Sequence, residues 1–475
     1  MTELDREFYR KLRFLVIDDQ AAARQSLRTC AQTMGAFSVD FSASYQDAIG
    51  RVKRTQPDVI LCDYNLGDGR SGQLLLEELR RTDALPDETV FIMVTAEKSY
   101  EHVVAAVELG PDDYIIKPFS PDRLKFRLDR ALKRRHFFEP LYRAKRERDF
   151  ERGEAFVAEH RESEAGQPYR FELMRQSAEL QLLKGDTAAA QAAYEAILAL
   201  HPFPWAKAGM ARVFLQQNRL QEARETVDAV VDGAPMYFDA FDLKTRICME
   251  MGDYAEAQRT VEETSRRTTR NYARKRLLAD AAMRNGDAEV ARAAMADVIQ
   301  NDVTPGAVSV EDHLMLVRSH LEAGEVLEAE EAIRKIRQQQ LETASLDEKA
   351  SYHALLAALD PERERAGFES RSAEWGNEWL GVATKVDLVR AALALGDHKL
   401  ASAITNQLFS SDQIRHVFNQ VRELFERAGL EQTFRDRQKQ AALARIRAEG
   451  AARKVPAGDP EAGDPLEGRD AGSGD

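Results

Sequence analysis

Five side chains in the first 120 residues have the types and placement for phosphoryl chemistry. Asp18 and Asp19 follow the apolar run Phe14 to Ile17, and Asp63 follows Val59 to Cys62. Thr95 follows Val90 to Val94, and Lys117 follows Tyr114 to Ile116 and precedes Pro118. Three carboxylates brought to one point repel unless a cation stands among them, and Mg²⁺ suits carboxylates, waters and a phosphate. A carboxylate beside Mg²⁺ and an ammonium is a competent nucleophile toward phosphorus, because the two cations neutralise the transferring oxygens. Singly, each residue has a plainer role: Asp and Thr at strand ends are common helix N-caps, and a lone Lys is usually a solvated charge. Together they do not, since no stability argument calls for three carboxylates around one spot. Cys62 reads as a small buried hydrophobe.

The elements that must position them are legible in the same stretch. The four apolar runs, with a weaker one at Phe37 to Phe41, read as short strands. Between them lie amphipathic stretches at Ala21 to Met34, Tyr45 to Thr55, Gly72 to Arg80, Tyr100 to Leu109 and Pro121 to Arg134. Five strands alternating with five helices predict a doubly wound, five-stranded parallel sheet covered on both faces. Strands that are apolar on both faces are what such burial requires. In this α/β architecture ligands bind outside the carboxyl ends of the strands, where the five polar groups fall.

Order, spacing and strand context of Asp18-Asp19, Asp63 within Cys62-Asp63-Tyr64-Asn65-Leu66, Thr95-Ala96 and Lys117-Pro118-Phe119 resemble the receiver domain of two-component response regulators, which has a flavodoxin-like fold. The resemblance covers residues 13–135. It implies that Asp63 accepts a phosphoryl group from a histidine kinase or phosphotransfer protein. It also implies that Asp19, Asp63 and the backbone carbonyl of Asn65 hold Mg²⁺, with Asp18 acting through water. Thr95 would bond the phosphoryl group, Lys117 would pair with it, the Lys117–Pro118 peptide would be cis, and Tyr114 would occupy the aromatic switch position. Asn65 and Glu97, two positions after Asp63 and Thr95, would flank the water that hydrolyses the phosphoryl group; plain loop solvation is their other reading. Pro111 stands where the family has a small residue.

From Phe171 to Ser410 the strand signal ends, and Ala, Leu, Glu and Arg recur with helical spacing. A short element repeats there: a turn residue, a polar residue, then Ala. It reads Gly185-Asp186 with Ala190, Asn218-Arg219 with Ala223, Gly252-Asp253 with Ala257, Gly286-Asp287 with Ala291, Gly324-Glu325 with Ala329, and Gly396-Asp397 with Ala401. The first intervals are 33, 34, 34 and 38 residues, and the last, 72, leaves room for a degenerate unit around Ser345 to Trp375. Gly or Asn supplies the left-handed residue that ends a helix, Ala admits a close second helix, and Tyr194, Val227, Val261, Met295 and Ile333 are placed for the shared core. Pro202, Pro235 and Pro305 separate units. This stretch resembles tetratricopeptide repeat arrays, which implies an all-α solenoid gripping a protein partner.

The chain has 475 residues and a net charge of −13, which argues against nucleic acid as a direct partner. No run approaches the roughly 20 apolar residues of a membrane helix, Met1 to Arg13 carry no secretion signal, and three scattered cysteines point to a reducing, cytoplasmic setting. The expected organisation is an N-terminal extension (1–12), receiver (13–135), helical connector (136–170), repeat array (171–410), capping helix (411–453) and disordered acidic tail (454–475). The segment Pro121 to Phe150 carries 11 Lys+Arg against 5 Asp+Glu in a helical pattern interrupted at Pro140. The expectation is a response regulator, not an enzyme, whose phosphorylation controls protein binding by the array. The alternatives are a phosphate sink on a shared kinase, or a scaffold with an incidental receiver fold.

Overall fold

The computed structural model describes residues 5–67, 71–81, 84–86, 88–96, 111–235, 237–267, 271–300, 308–375, 380–410 and 413–452. The expected helix Tyr100 to Leu109, Glu97 and the acidic tail lie outside them. The chain forms two compact units, Met1–Ala344 and Ser345–Asp475, so the stretch 171–410 is divided between them.

The first unit begins with a five-stranded parallel sheet: β1 Arg13–Ile17, β2 Ser38–Ser42, β3 Val59–Asp63, β4 Val90–Thr95 and β5 Asp113–Ile116, in the order β2-β1-β3-β4-β5. Side chains alternate across it. Phe14, Val16, Leu61, Ile92 and Val94 point to the face covered by helices α2 (Ala21–Met34) and α5 (Pro121–Arg146). Leu15, Ile17, Ile60, Phe91 and Met93 point to the face covered by α3 (Tyr45–Thr55) and α4 (Gly72–Arg81). Burying each such side chain is worth about 1.5–3 kcal/mol, so β3 and β4 are buried along their whole length. The edge strand β2 alternates exposed and partly buried positions. Its span is displaced by one residue from the apolar run, and Phe37, expected in the strand, is 82% exposed just before it. A short helix, α1 (Arg6–Lys11), packs Tyr9 into the first face, where the phenol donates to Asp129 at 2.5 Å.

Helix α5 starts at Ser120, whose hydroxyl accepts from the Arg123 amide, and continues without a break to Arg146. The expected interruption at Pro140 is absent. Proline removes one helical hydrogen bond and crowds the preceding turn, but its neighbours Phe138 and Leu141 are buried in a second core with Phe156, Leu173 and Leu180. Leu124, Leu128 and Leu132, earlier in the same helix, belong to the core on the first face of the sheet. One helix thus serves two cores.

Helix pairs follow: Arg170–Lys184 with Thr187–Leu200, Pro204–Gln216 with Leu220–Gly233, Phe238–Met251 with Tyr254–Arg267, Tyr272–Asn285 with Ala288–Gln300, and Val310–Glu322 with Val326–Arg334. Gly185, Asn218, Gly252, Gly286 and Gly324 take positive φ at the turns. Asp186, Asp253 and Asp287 then cap the next helix by accepting backbone N–H groups. Ala190, Ala223, Ala257, Ala291 and Ala329 are buried where the paired helices meet, with Tyr194, Val227, Val261, Met295 and Ile333 beyond them. Ion pairs staple successive pairs: Arg274, 2% exposed, holds Asp242 at 2.9 Å and lies over the Phe238 ring, and Arg276 holds Asp312 at 2.6 Å.

The second unit contains Leu346–Leu359 with Pro361–Trp375, Val382–Ala394 with His398–Ser410, then Phe418–Arg427 and Glu431–Ala452 around one apolar core. Its first pair turns at Asp360-Pro361 instead of a glycine. The Gly381 amide donates to Asp347 at 2.7 Å, linking that pair to the next. Among the described residues no helix is long and apolar enough to cross a membrane.

Candidate functional site

Parallel register brings the polar groups together. Ile17 pairs with Cys62 and Asp63 with Val94, while Thr95 pairs with Ile116, so the residues at and just past these strand ends share one edge of the sheet. There the Lys117 ammonium donates to Asp18 Oδ2 at 2.8 Å and to Asp63 Oδ1 at 3.0 Å. Asp18 is wholly buried and Asp63 is 8% exposed, whereas Asp19 faces solvent. Thr95 is buried, and its carbonyl accepts from the Lys117 amide. The Lys117–Pro118 bond is cis. Asn65 is exposed and pairs with Ser71 across the loop that leaves β3. Glu97 lies outside the described residues.

Burial pushes the Asp63 carboxyl up from its ordinary range; Lys117 pulls it down, and Asp18 and Asp19 add to the rise. Burial also works against the Lys117 ammonium, but its bonds and charge pairing with Asp18 and Asp63 outweigh that and hold its pKa above the ordinary value. Lysine is therefore charged, and the two carboxylates it bridges are kept beside it. Cys62 is buried and its thiol is pushed well above the normal range, chiefly by burial, so it is not a competing nucleophile.

The donor set fits a hard divalent cation. One oxygen from each of Asp18, Asp19 and Asp63 lies within 4.8 Å of the others, and Mg²⁺ takes oxygen ligands, usually one or two carboxylates with waters. One ammonium against three carboxylates leaves the cluster short of positive charge.

Sequence reasoning missed the residues that shape this cluster. Gly72, at the start of α4, donates its N–H to the Tyr64 carbonyl; a Cβ there would lie 2.3 Å from the Asp63 carbonyl oxygen and 2.7 Å from Cys62 Sγ. Gly67 takes φ +73°, with Asp19 Oδ2 3.1 Å from a Cβ position. Arg24 donates to the Asp18 carbonyl at 2.6 Å, and the Gln20 amide donates to Asp18 Oδ1 at 2.9 Å. Glycine after a strand carries a weak turn signal; the arginine carries none.

Tyr114 is half-buried on the second face of the sheet, with the Arg127 guanidinium 5.8 Å from its ring centroid. Tyr64 borders the same core cluster. So does Tyr272, the first residue of the array helix Tyr272–Asn285, which also packs into the repeat core.

Comparison with known proteins agrees with these two architectures. Residues 14–129 match the response regulator receiver domain, and residues 181–247 and 249–307 match tetratricopeptide repeat models. The phosphate regulon transcriptional regulatory protein PhoB of Escherichia coli (strain K12) is 34% identical over 122 residues, 26% of this chain and 52% of that protein. PhoB of Pseudomonas aeruginosa is 35% identical over 120 residues, 25% of this chain and 51% of its own length. The chain thus spans about half the length of the curated relatives it matches. Among solved structures, the chemotaxis response regulator CheY4 of Vibrio cholerae is 26% identical with a TM-score of 0.24, covering 26% of this chain and 98% of its own. The N-terminal part is a receiver domain, followed by tetratricopeptide repeats.

Proposed function

We propose that this chain is a cytoplasmic response regulator in which phosphorylation of Asp63 controls what the repeats bind. An Asp63 carboxylate oxygen attacks the phosphorus of a phosphohistidine on a histidine kinase or phosphotransfer protein. The new O–P bond forms as the N–P bond breaks, and the electron pair stays on the imidazole nitrogen. Lys117, already bonded to Asp63, neutralises an oxygen of the transferring group, and the Thr95 hydroxyl donates to another. Asp19, Asp63 and the Asn65 carbonyl would hold Mg²⁺, with Asp18 acting through water; bound there, Mg²⁺ supplies charge neutralisation for the phosphoryl oxygens. The chain promotes only its own phosphorylation and dephosphorylation.

The observation that carries the coupling is Tyr272. An array residue packed against the receiver core that Tyr64 and Tyr114 also border gives a rearrangement around phosphorylated Asp63 a direct contact to alter. Tyr114, as the switch aromatic, and Thr95 would move together when the phosphoryl group draws the Thr95 hydroxyl inward. The partner is then a protein recognised by the repeats.

Hydrogen exchange on the full chain, before and after acetyl phosphate in Mg²⁺, tests this. Amides of the helix Tyr272–Asn285 should exchange faster after treatment, and Asp63→Asn should abolish the change. Phosphorylation that leaves the array's exchange untouched would favour a phosphate sink.

A further inference from the structure

The three carboxylates of the cluster are not held in the same way. Asp18 Oδ2 and Asp63 Oδ1 accept from Lys117, and Asp18 Oδ1 also accepts from the Gln20 amide. The exposed Asp19 carboxylate accepts no hydrogen bond among the described residues. Its place is set by its backbone and by what lies against it. We propose that Arg24 is the positioning residue for Asp19 and thereby sets the affinity of the cluster for a divalent cation. This rests on the reading of Asp19 and Asp63 as Mg²⁺ ligands.

Arg24 Nη1 donates to the Asp18 carbonyl oxygen at 2.6 Å. That oxygen belongs to the peptide joining Asp18 to Asp19, a rigid plane, so holding it fixes the direction in which Asp19 leaves the strand. The Asp18 amide donates to the Ser42 carbonyl at 3.2 Å, which ties the preceding peptide to the end of β2. Gly67 then brings bare backbone against the Asp19 side chain, whose Oδ2 would lie 3.1 Å from a Cβ there. Without the Arg24 bond, the peptide plane before Asp19 loses the side-chain donor that orients it.

Helix stability does not account for this arginine. Helix α2 begins at Ala21 with no acidic residue in its first turn and no side-chain cap, and a cation near a helix N-terminus opposes the helix dipole. An ion pair does not account for it either: among the described residues the guanidinium is bonded only to the Asp18 carbonyl. What the arginine does is hold the one peptide that both carboxylates flank. Mg²⁺ demands near-ideal octahedral geometry, so a ligand that drifts costs affinity, and losing a group that orients a ligand typically weakens metal binding about 10–100-fold.

Calorimetric titration of Mg²⁺ into the full-length protein, with no phosphoryl donor present, tests this. Arg24→Met keeps the aliphatic stem and removes the donor, Arg24→Ala removes both, and circular dichroism checks that each folds. We expect the Kd for Mg²⁺ to rise about tenfold in either variant. Arg24→Lys, which keeps a donor on a long stem, should recover part of the loss. In acetyl-phosphate labelling, the Mg²⁺ concentration giving half the maximal rate should rise by the same factor, while saturating Mg²⁺ recovers most of the rate. Mg²⁺ affinity unchanged in both donorless variants overturns the proposal and leaves the metal site standing. Labelling that stays about tenfold low at saturating Mg²⁺ also overturns it, since Arg24 would then act in the transfer itself. A native protein that binds no Mg²⁺ removes the metal site and the proposal together.

Discussion

Lys117 Nζ stands 3.0 Å from Asp63 Oδ1 while also holding Asp18 at 2.8 Å. The ammonium is therefore in place before any phosphoryl group arrives. Removing it by Lys117→Ala leaves two buried carboxylates without their shared cation, and acetyl-phosphate labelling should fall by about a hundredfold or more. Asp63→Asn should abolish labelling with the fold intact by circular dichroism; label that persists would place the acceptor elsewhere.

Asp19 is the exposed member of the carboxylate cluster. Because Mg²⁺ depends on so few protein oxygens, Asp19→Ala should weaken Mg²⁺ binding about tenfold or more in a calorimetric titration. Unchanged affinity would mean that the cluster is not the metal site.

Asn65 is exposed beside Asp63, where a side-chain amide can orient water for attack on phosphorus. Asn65→Leu should slow the decay of phosphorylated protein several-fold, measured by loss of label after removing the donor. Equal decay rates would remove Asn65 from the hydrolysis.

Two buried glycines make a paired test of packing. A Cβ on Gly209 would lie 2.2 Å from the Tyr194 ring, between the first and second helix pairs. Gly209→Ala should destabilise the first unit by about 1–3 kcal/mol, measured by urea unfolding, with labelling unaffected. Gly72→Ala, whose Cβ meets Asp63 and Cys62, should lower labelling as well. If both variants label normally, the loop after β3 is more compliant than its close contacts imply.

Much of this was legible because parallel-sheet burial writes itself into sequence as unbroken apolar runs. Val59 to Cys62 and Val90 to Val94 name β3 and β4 almost to the residue, and the polar group after each run is the one that the register brings to the site. The edge strand β2, with one side toward solvent, lacks such a run. Pro140 misled because a local rule lost to tertiary burial of Phe138 and Leu141. Tyr272 was invisible because its partners in the sheet core are distant in sequence, and Arg24 and Gly72 because no residue pattern announces a side chain turned back onto the Asp18 carbonyl or a close approach to the end of β3. The turn glycines of the repeats were readable since φ near +80° is a local demand.

Asp312 makes a pH-dependent contribution. Burial alone would raise its pKa, but bonds and charge from Arg276, with the Ser309 bonds, outweigh that and hold it below the ordinary carboxylate range. Folded pKa below unfolded means stabilisation that is present above the unfolded value and lost as pH falls through the folded one. Asp312→Asn should cost on the order of 2 kcal/mol at pH 7. The melting-temperature gap between native and variant proteins should shrink as the buffer is taken toward about pH 3. A gap that stays constant across that range would mean the pair adds no net stability through its charge.

Helix α5 also carries rotational phase between receiver and array. Its 26 residues span about 39 Å and advance about 100° per residue, with Leu128 fixed in one core and Leu141 in another. One residue inserted between those anchors would turn the repeats by about 100° relative to the sheet. Seven would bring them back to within about 20°. The two modules are therefore keyed like gears on one shaft: grafting a different receiver onto this array, or adjusting the length of α5, should succeed only in steps that preserve the tooth count.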